Sequence, residues 1–241
     1  MLSFDHWFAA QPSRNQISRC RHSLTIRSSR RRFEARLNSG VRTYKPNMSH
    51  ATSRRNLITS CIDAIKDAEA LYSKWTDGIT MRSAPESLVQ MKIAENLAKS
   101  GDVVFLEASV KDIMSLAIGE DPPDLSRGDR GRIDIAVYYN SKGKRACPRF
   151  VVEVKKLTTH HSLDQDHARI RELLKLCPDI QNGIMIGYGT AVNAETALRK
   201  VLKVTEHLPC KRVRTLDPMP VTGRDKKPRY LAAGVFRVER E

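Results

Sequence analysis

The chain has 241 residues, which is enough for one domain of ordinary size with a well-buried core. It carries 42 Lys and Arg residues against 27 Asp and Glu residues, a formal net charge of +15 that favours a polyanionic partner such as nucleic acid. Its apolar runs are shorter than a membrane-spanning helix, and the N-terminus lacks the apolar stretch of a secretory signal. We therefore expect a soluble, cytoplasmic protein and exclude a membrane-spanning one.

The cysteines point to a reducing compartment. They are five in number, lie far apart and form no CxxC pair; they are Cys20, Cys61, Cys147, Cys177 and Cys210. An odd and scattered set of this kind does not form a disulfide framework. We expect reduced thiols, most of them packed in the core, as in cytosolic proteins.

The N-terminal segment, residues 1–50, differs in composition from the rest of the chain. It is rich in Arg and Ser and lacks sustained periodicity, which predicts disorder. Residues 1–47 carry a net charge of +8, which leaves +7 for the remainder. Three interpretations are open: a basic nucleic-acid arm, an organelle transit peptide, or sequence translated upstream of a start at Met48. The smaller positive charge of residues 51–241 still favours a nucleic-acid partner, but more weakly than the charge of the whole chain.

The hydrophobic pattern of residues 51–241 predicts a single domain of alternating helices and strands. Helical spacing predicts helices over 54–75, from 83–86 to about 101, over 163–177 and over 194–208. Runs of β-branched and aromatic residues predict strands over 103–107, 132–139, 149–154, 183–188 and 230–238. The segments 119–130 and 209–229 contain prolines and many charges, and are predicted to be a loop and a basic connection. This order predicts an α/β fold with a central mixed β-sheet flanked by helices and an αβββαβ core.

Asp134 and Glu153 fall on two predicted strands that are close enough in sequence to form a hairpin. Opposed residues of an antiparallel pair have numbers with a constant sum, so pairing Asp134 with Glu153 centres the turn between Gly143 and Lys144. That position lies inside 140–145, the best turn signal in the region. The sequence therefore predicts that the two carboxylates are direct cross-strand neighbours, about 5 Å apart at Cβ.

These two acids suggest a divalent-metal site. Strand alternation places Glu153 and Lys155 on the same face of the sheet, opposite to Val154. An acid among apolar strand residues costs free energy unless it is hydrogen-bonded, paired or bound to metal. Because Mg²⁺ prefers carboxylate and carbonyl oxygens, we expect Asp134, Glu153 and the backbone carbonyl of Val154 to bind it. Lys155 would then lie beside the bound water, where its ammonium group can orient the nucleophile.

The predicted second helix contributes a third acid, Glu86. Successive residues of a helix are rotated by about 100° around its axis. This rotation places Glu86 in the middle of the apolar stripe, at an angle between those of Ile93 and Leu97. It also stands at the start of the helix, so its side chain can reach the edge of the sheet and join the site. Its spacing from Ser83 equally fits a capping box, and that alternative is open.

The spacing D-x(18)-E-x-K within this order of helices and strands resembles the PD-(D/E)xK nuclease superfamily, which has a restriction-endonuclease-like core. The resemblance covers about residues 83–208 and implies Mg²⁺-dependent hydrolysis of phosphodiester bonds, with Mn²⁺ able to substitute. It implies that Asp134 and Glu153 bind the metal and that Lys155 is the catalytic lysine. Glu86 matches the catalytic acid on the first core helix. Ile133 stands where the motif name has proline, at a position that varies in the superfamily.

Basic residues around this core are candidates for contacts with a nucleic-acid backbone. Arg132 lies on the site face of its strand, where it can bind phosphate or pair with an acid, and Lys156 follows the catalytic lysine. Lys226 and Lys227 belong to the basic connection 209–229, which is either solvated surface or a flap against the substrate. We expect DNA rather than RNA as the partner.

Two further pairs of side chains are near the site in sequence. His160 and His161 either reach the site or a phosphate, or occupy an exposed helix N-terminus. Asp164 and Asp166 either complement the dipole in the first turn of the next helix or support the site. The sequence leaves both choices open.

The function expected from these patterns is a metal-dependent nuclease acting on DNA, as an endonuclease or an exonuclease. Two alternatives are open. One is a non-catalytic nucleic-acid-binding protein that retains the nuclease fold, and the other is an interaction protein whose acids form ordinary salt bridges across a solvated strand face. The oligomeric state, including a homodimer, is open as well.

Overall fold

The structure is a computed structural model, and it describes residues 53–118, 131–138, 148–157, 161–223 and 227–240. These residues belong to one compact unit, Met48–Glu241. Several predictions lie outside the described residues: those for residues 1–50, the loop 119–130, the turn at 140–145, His160 and Lys226.

Helices and strands alternate along the described chain. The helices are α1 (Arg54–Trp75), α2 (Glu86–Lys99), α3 (Val110–Ile118), α4 (His161–Leu176), α5 (Ala194–Leu202) and α6 (Val204–His207). The strands are β1 (Val103–Ser109), β2 (Arg132–Tyr138), β3 (Pro148–Lys156), β4 (Asn182–Ala191), β5 (Cys210–Thr222) and β6 (Pro228–Val238). They form one sheet in the order β1-β2-β3-β4-β6-β5. Strands β3 and β4 are parallel and the other neighbours are antiparallel, so the predicted mixed sheet flanked by helices is confirmed.

Two hydrophobic cores lie on opposite faces of this sheet. Helices α1 and α2 pack on one face, where Ile65 and Ile93 share a core with Val152 of β3. Helices α3, α4 and α5 pack on the other face, where Ile170 shares a core with Val151. Successive residues of β3 therefore enter different cores, because strand side chains alternate between faces. This burial on both sides accounts for the continuous apolar run of the strand.

The start of α2 does not have the capping box that was one of the two roles predicted for Glu86. Pro85 is the N-cap residue and provides no side-chain hydrogen bond, while Ser83 belongs to a short 3₁₀ turn, Met81–Ser83. The alternative prediction of a capping box between Ser83 and Glu86 is therefore wrong. Proline fits this position because its fixed φ suits a helix start and its missing N–H group would have no intrahelical partner.

The structure differs from the predicted order of helices and strands in three places. The segment 209–229, predicted to be a connection, contains the long edge strand β5, which pairs with β6. Its prolines are tolerated because one side of an edge strand needs no ladder hydrogen bonds, and its register shifts between Leu216 and Met219. An additional helix, α3, follows β1, so the αβββαβ order has an insertion. The predicted helix 194–208 is divided at Lys203 into α5 and α6.

The described cysteines are unpaired, as expected from their spacing. Cys61 and Cys177 are buried, and Cys210 is half-buried. Burial raises the pKa of Cys61 to about 12 and that of Cys177 to about 11, so both remain neutral thiols at physiological pH. In the part of the chain that the structure describes, none of the helices combines the length and the apolar character needed to cross a membrane.

Candidate active site

Strands β2 and β3 pair in the predicted register from Ile135 to Val137, but the register shifts between Val137 and Tyr138, and Asp134 and Glu153 are not partners in the ladder. Ile135 pairs with Val152 and Val137 pairs with Phe150, which is the same offset as that of Asp134 with Glu153. The paired region ends at Ile135. Beyond that point β2 stays with β1, where Ser109 pairs with Arg132, and it leaves β3. A gap therefore opens between β2 and the last residues of β3.

Carboxylates enter this gap and bind the backbone of β3. Asp134 Oδ2 accepts a hydrogen bond of 2.7 Å from the Val154 N–H group. The Glu86 carboxylate accepts a hydrogen bond from the N–H group of Lys156, two residues further along the strand. Buried N–H groups need an acceptor, and these two have lost the strand that would supply one. The position of both acids thus follows from the separation of the strands.

Glu153 is deeply buried on the face of the sheet that α4 covers, with only 2% of its surface exposed. Its Oε1 atom lies 2.8 Å from Arg169 Nη1. The same Nη1 atom lies 3.2 Å from Asp166 Oδ1 and donates to the carbonyl oxygen of Arg132 at 3.0 Å. Arg169 therefore connects helix α4 to both strands of the hairpin through one nitrogen atom.

Burial and two neighbouring acids make Glu153 difficult to ionise. Burial, followed by the charges of Asp134 and Asp166, raises the pKa of Glu153 to about 9, and the nearby Arg169 guanidinium only partly offsets this. The carboxyl groups of Glu153 and Asp134 are within hydrogen-bonding range of each other. At neutral pH, Glu153 is therefore protonated and shares a hydrogen bond with Asp134.

Lys155 is a half-buried ammonium group at the same end of the sheet. Its Nζ atom lies 3.2 Å from Asp166 Oδ2. Burial alone would lower the pKa of Lys155, but the charges of Asp166 and Glu86 outweigh it and raise that pKa. For Glu86, burial raises the pKa, and the charge of Lys155 partly offsets the rise. The structure thus brings Glu86, Asp134, Glu153 and Lys155 together, as the sequence predicted.

The remaining predicted residues are distributed around this cluster. The Lys156 Nζ atom donates a 3.1 Å hydrogen bond to the carbonyl oxygen of Ala84, on the α2 side of the sheet, away from Asp166. The side chains of Arg132 and Lys227 are exposed. Asp164 is exposed too, whereas its neighbour Asp166 is buried within the cluster. His161 begins α4, but the structure does not describe its side chain.

The donor atoms of the predicted metal site are all oxygen atoms. Within the described ranges, no group of three or more His, Cys, Asp or Glu side chains is placed to hold a metal ion. The predicted set instead combines the carboxylates of Asp134 and Glu153 with the Val154 carbonyl. The N–H and C=O groups of a strand residue point to the same side, so this carbonyl also faces the gap. A divalent cation can replace the proton shared by the carboxyl groups, and the set therefore fits Mg²⁺.

Two residues of the cluster were not singled out from the sequence. Arg169 lies one turn after Asp166 on α4, and such i, i+3 pairs are common on solvated helices. The available signal was helix phase: Asp166 falls on the buried stripe that contains Leu163 and Ile170, so it needs a cation. Tyr188 of β4 is also buried, and its hydroxyl group has no hydrogen-bond partner among the described residues.

Comparison with known proteins gave no match. The chain matches no family model, no curated protein and no solved structure. The assignment of a function therefore depends on the geometry and chemistry of the site itself.

Proposed function

We propose that this protein is a metal-dependent nuclease that hydrolyses phosphodiester bonds in DNA, with a restriction-endonuclease-like core. The observation that carries the proposal is the convergence of Asp134, Glu153 and Lys155 at the point where β2 leaves β3. Burying two acids and an ammonium group next to one another costs free energy, which a structural role alone does not explain. Beside an open gap in a sheet, they form a reactive site for a phosphate group.

Asp134, Glu153 and the carbonyl of Val154 would hold Mg²⁺ or Mn²⁺. When bound, the ion supplies Lewis acidity toward a phosphoryl oxygen and lowers the pKa of a coordinated water. The chain contributes the orientation of its ligands. The Val154 N–H group fixes one oxygen of Asp134, and Arg169 fixes one oxygen of Glu153, so the other oxygen of each would be the metal ligand.

Lys155 contributes a fixed positive charge. Because Asp166 and Glu86 raise its pKa, the ammonium group keeps its proton at neutral pH and does not act as a general base. It can orient the attacking water by hydrogen bonding and stabilise the negative charge that develops on the phosphoryl oxygens. Asp166 holds it in position from the α4 side. Glu86, on the other side, can accept a hydrogen bond from the same water.

One observation favours a second candidate, a non-catalytic nucleic-acid-binding protein that retains the nuclease fold. Arg169 Nη1 lies within 3.2 Å of both Glu153 and Asp166, and Lys155 Nζ lies 3.2 Å from Asp166, so these acids have basic neighbours without a metal ion. In that case nucleic-acid binding would persist in EDTA and depend steeply on salt concentration, without turnover.

Cleavage assays separate the two candidates. Plasmid DNA and end-labelled oligonucleotides of DNA and RNA are incubated with Mg²⁺, Mn²⁺ or EDTA. The proposal predicts DNA cleavage with either metal, none in EDTA, and a loss of at least about 100-fold in Asp134→Ala and Lys155→Ala. Undiminished cleavage by both variants would assign the activity to another site or a contaminant. Metal-independent binding without cleavage would support the second candidate.

A further inference from the structure

A backbone irregularity lies beside the candidate active site, on the edge strand β1. Glu107 has a φ of 53°, in the left-handed region, although the strand pairs with β2 on both sides of it. A residue with a Cβ atom disfavours this conformation. Asp77, the other non-glycine residue with a positive φ in the described part of the chain, occupies a turn, where aspartate tolerates it. A strained residue inside a strand is a candidate for a functional role.

Glu107 lies opposite Asp134 in the pairing of β1 with β2. The pairs on either side of these two residues are Leu106 with Ile135 and Ala108 with Ile133. The left-handed residue of the edge strand is therefore the cross-strand neighbour of the first acid of the candidate site.

Both strands change face at this level of the ladder. On β1, Phe105 and Ala108 pack against the same core, although they are three residues apart. On β2, Ile133 belongs to that core and Ile135 to the core on the other face, although they are two residues apart. Side chains of a regular strand alternate, so residues three apart lie on opposite faces and residues two apart lie on the same face. The alternation is therefore interrupted on both strands where Glu107 and Asp134 face each other.

This interruption accounts for the direction of the Asp134 side chain. Side chains of a regular strand stand roughly perpendicular to the sheet, whereas its N–H groups point toward neighbouring strands in the plane of the sheet. Asp134 Oδ2 nevertheless accepts a hydrogen bond of 2.7 Å from the Val154 N–H group. The acceptor of that bond has to lie in the plane of the sheet, between β2 and β3. On a regular stretch of β2, the same side chain would point into one of the two cores.

We infer that Glu107 is a positioning residue, which acts on the candidate site through Asp134. Its left-handed backbone turns β1 and, through the ladder, β2, so that the Asp134 carboxylate enters the gap beside β3. The backbone conformation has this role, and the exposed carboxylate of Glu107 does not. The importance of Asp134 as a metal ligand rests on the proposed nuclease function. The placement of its side chain does not, because the hydrogen bond to Val154 is present without a metal ion.

The first test measures amide hydrogen exchange of Val154 by NMR in protein labelled with ¹⁵N-valine, in EDTA. Val152 pairs with Ile135 in the ladder and is the internal reference, so the ratio of the two exchange rates corrects for changes in overall stability. We expect Glu107→Thr and Glu107→Val to raise this ratio at least about tenfold, because β-branched residues strongly disfavour a positive φ. At an ordinary exposed strand position, both residues would be favourable.

Matched variants separate the backbone of Glu107 from its charge. Glu107→Gly and Glu107→Asn remove the charge and favour a positive φ, and Glu107→Gln removes the charge and keeps the shape of the side chain. Asp217→Val removes an exposed acid from the other edge strand, β5. All four should keep the exchange ratio within about twofold of wild type. A wild-type ratio in Glu107→Thr and Glu107→Val would overturn the inference, and so would a rise in Glu107→Gln equal to theirs.

The second test measures Mg²⁺ binding by isothermal titration calorimetry at pH 8. Glu107→Thr should bind Mg²⁺ about tenfold more weakly than wild type, and Glu107→Gly within about twofold of it, because only the first displaces Asp134. Wild-type affinity in Glu107→Thr would overturn the action of Glu107 on the site.

The two proposals fail separately. If the exchange ratio follows this series of variants in a protein that binds no metal and cleaves no nucleic acid, the nuclease proposal alone is refuted. Metal-dependent cleavage by the wild type, together with an exchange ratio that is the same in all Glu107 variants, refutes the positioning role alone.

Discussion

The Asp134 carboxylate caps the backbone of β3, because its Oδ2 atom accepts a hydrogen bond of 2.7 Å from the Val154 N–H group. Strand β2 would supply this acceptor in a continuous ladder, but it has already turned away from β3. Asp134 therefore closes the hairpin and takes part in the candidate site at the same time. Only its Oδ2 atom is engaged by the backbone, so Oδ1 is the oxygen that we propose as a metal ligand.

Because Asp134 has both roles, replacing it by Asn and replacing it by Ala should change stability by different amounts. Asp134→Asn retains an oxygen that can accept from Val154, whereas Asp134→Ala leaves that N–H group without an acceptor. We expect the alanine variant to be less stable than the asparagine variant by about 1–3 kcal/mol in urea denaturation at pH 7 in EDTA. Both variants should lose most of the stabilisation that Mg²⁺ gives to the wild type. Equal stabilities would show that the capping bond contributes nothing.

The raised pKa of Glu153 predicts how stability changes with pH. Its pKa is about 9 in the folded protein, against the ordinary value of 4.5. Between these values the folded protein binds a proton that the unfolded chain releases, so this contribution is complete below about pH 4.5 and is lost as the pH rises toward 9. In EDTA, the wild type should lose stability relative to Glu153→Gln between pH 6 and 9, by up to about 1.4 kcal/mol per pH unit. A constant difference between the two proteins over this range would contradict the raised pKa.

Metal binding should release this proton. Mg²⁺ or Mn²⁺ needs an ionised carboxylate, so its affinity for the wild type should rise by up to about tenfold per pH unit between pH 6 and 8.5. Isothermal titration calorimetry in two buffers of different ionisation enthalpy counts the protons, and we expect about one per bound ion. Glu153→Gln is the matched variant, with weak binding and no proton release. Tight binding by the wild type without proton release would mean that the ion binds elsewhere.

Arg169 lies between two buried acidic residues, Glu153 and Asp166. Its Nη1 atom lies 2.8 Å from Glu153 and 3.2 Å from Asp166. Arg169→Met removes the hydrogen-bond donor to Glu153 and one of the two cations beside Asp166, and should cost about 1–3 kcal/mol of unfolding free energy in EDTA. Mg²⁺ should then stabilise Arg169→Met more than it stabilises the wild type. Arg199→Met, at an exposed position of α5, is the control and should remain within about 0.5 kcal/mol of wild type.

Local rules predicted the hairpin that builds this site. The turn signal and the spacing of Asp134 and Glu153 fixed the strand register, and the observed pairing of Ile135 with Val152 confirms it. Helix phase likewise placed Glu86 on the buried side of α2, close to the sheet edge. These predictions succeeded because register and phase depend on residues near one another in the chain.

The features that escaped prediction depend on tertiary position. Strand β5 contains Pro218 and Pro220 and many charges, which are unfavourable in a strand unless it lies at a sheet edge. Arg169 has the sequence environment of an ordinary surface helix residue, and only the packing of α4 on β3 turns it toward Glu153.

The most direct measurement of the central claim is single-turnover cleavage of DNA by Lys155→Met and Lys99→Met, at saturating protein with Mg²⁺. Both substitutions remove one lysine charge, but Lys99 is exposed in the last turn of α2, about 20 Å along that helix from Glu86. The proposed site predicts that Lys155→Met lowers the cleavage rate at least about 100-fold while substrate affinity changes little, and that Lys99→Met cleaves within about twofold of wild type. Cleavage by Lys155→Met at the wild-type rate would contradict the assignment of this cluster as the active site of a nuclease.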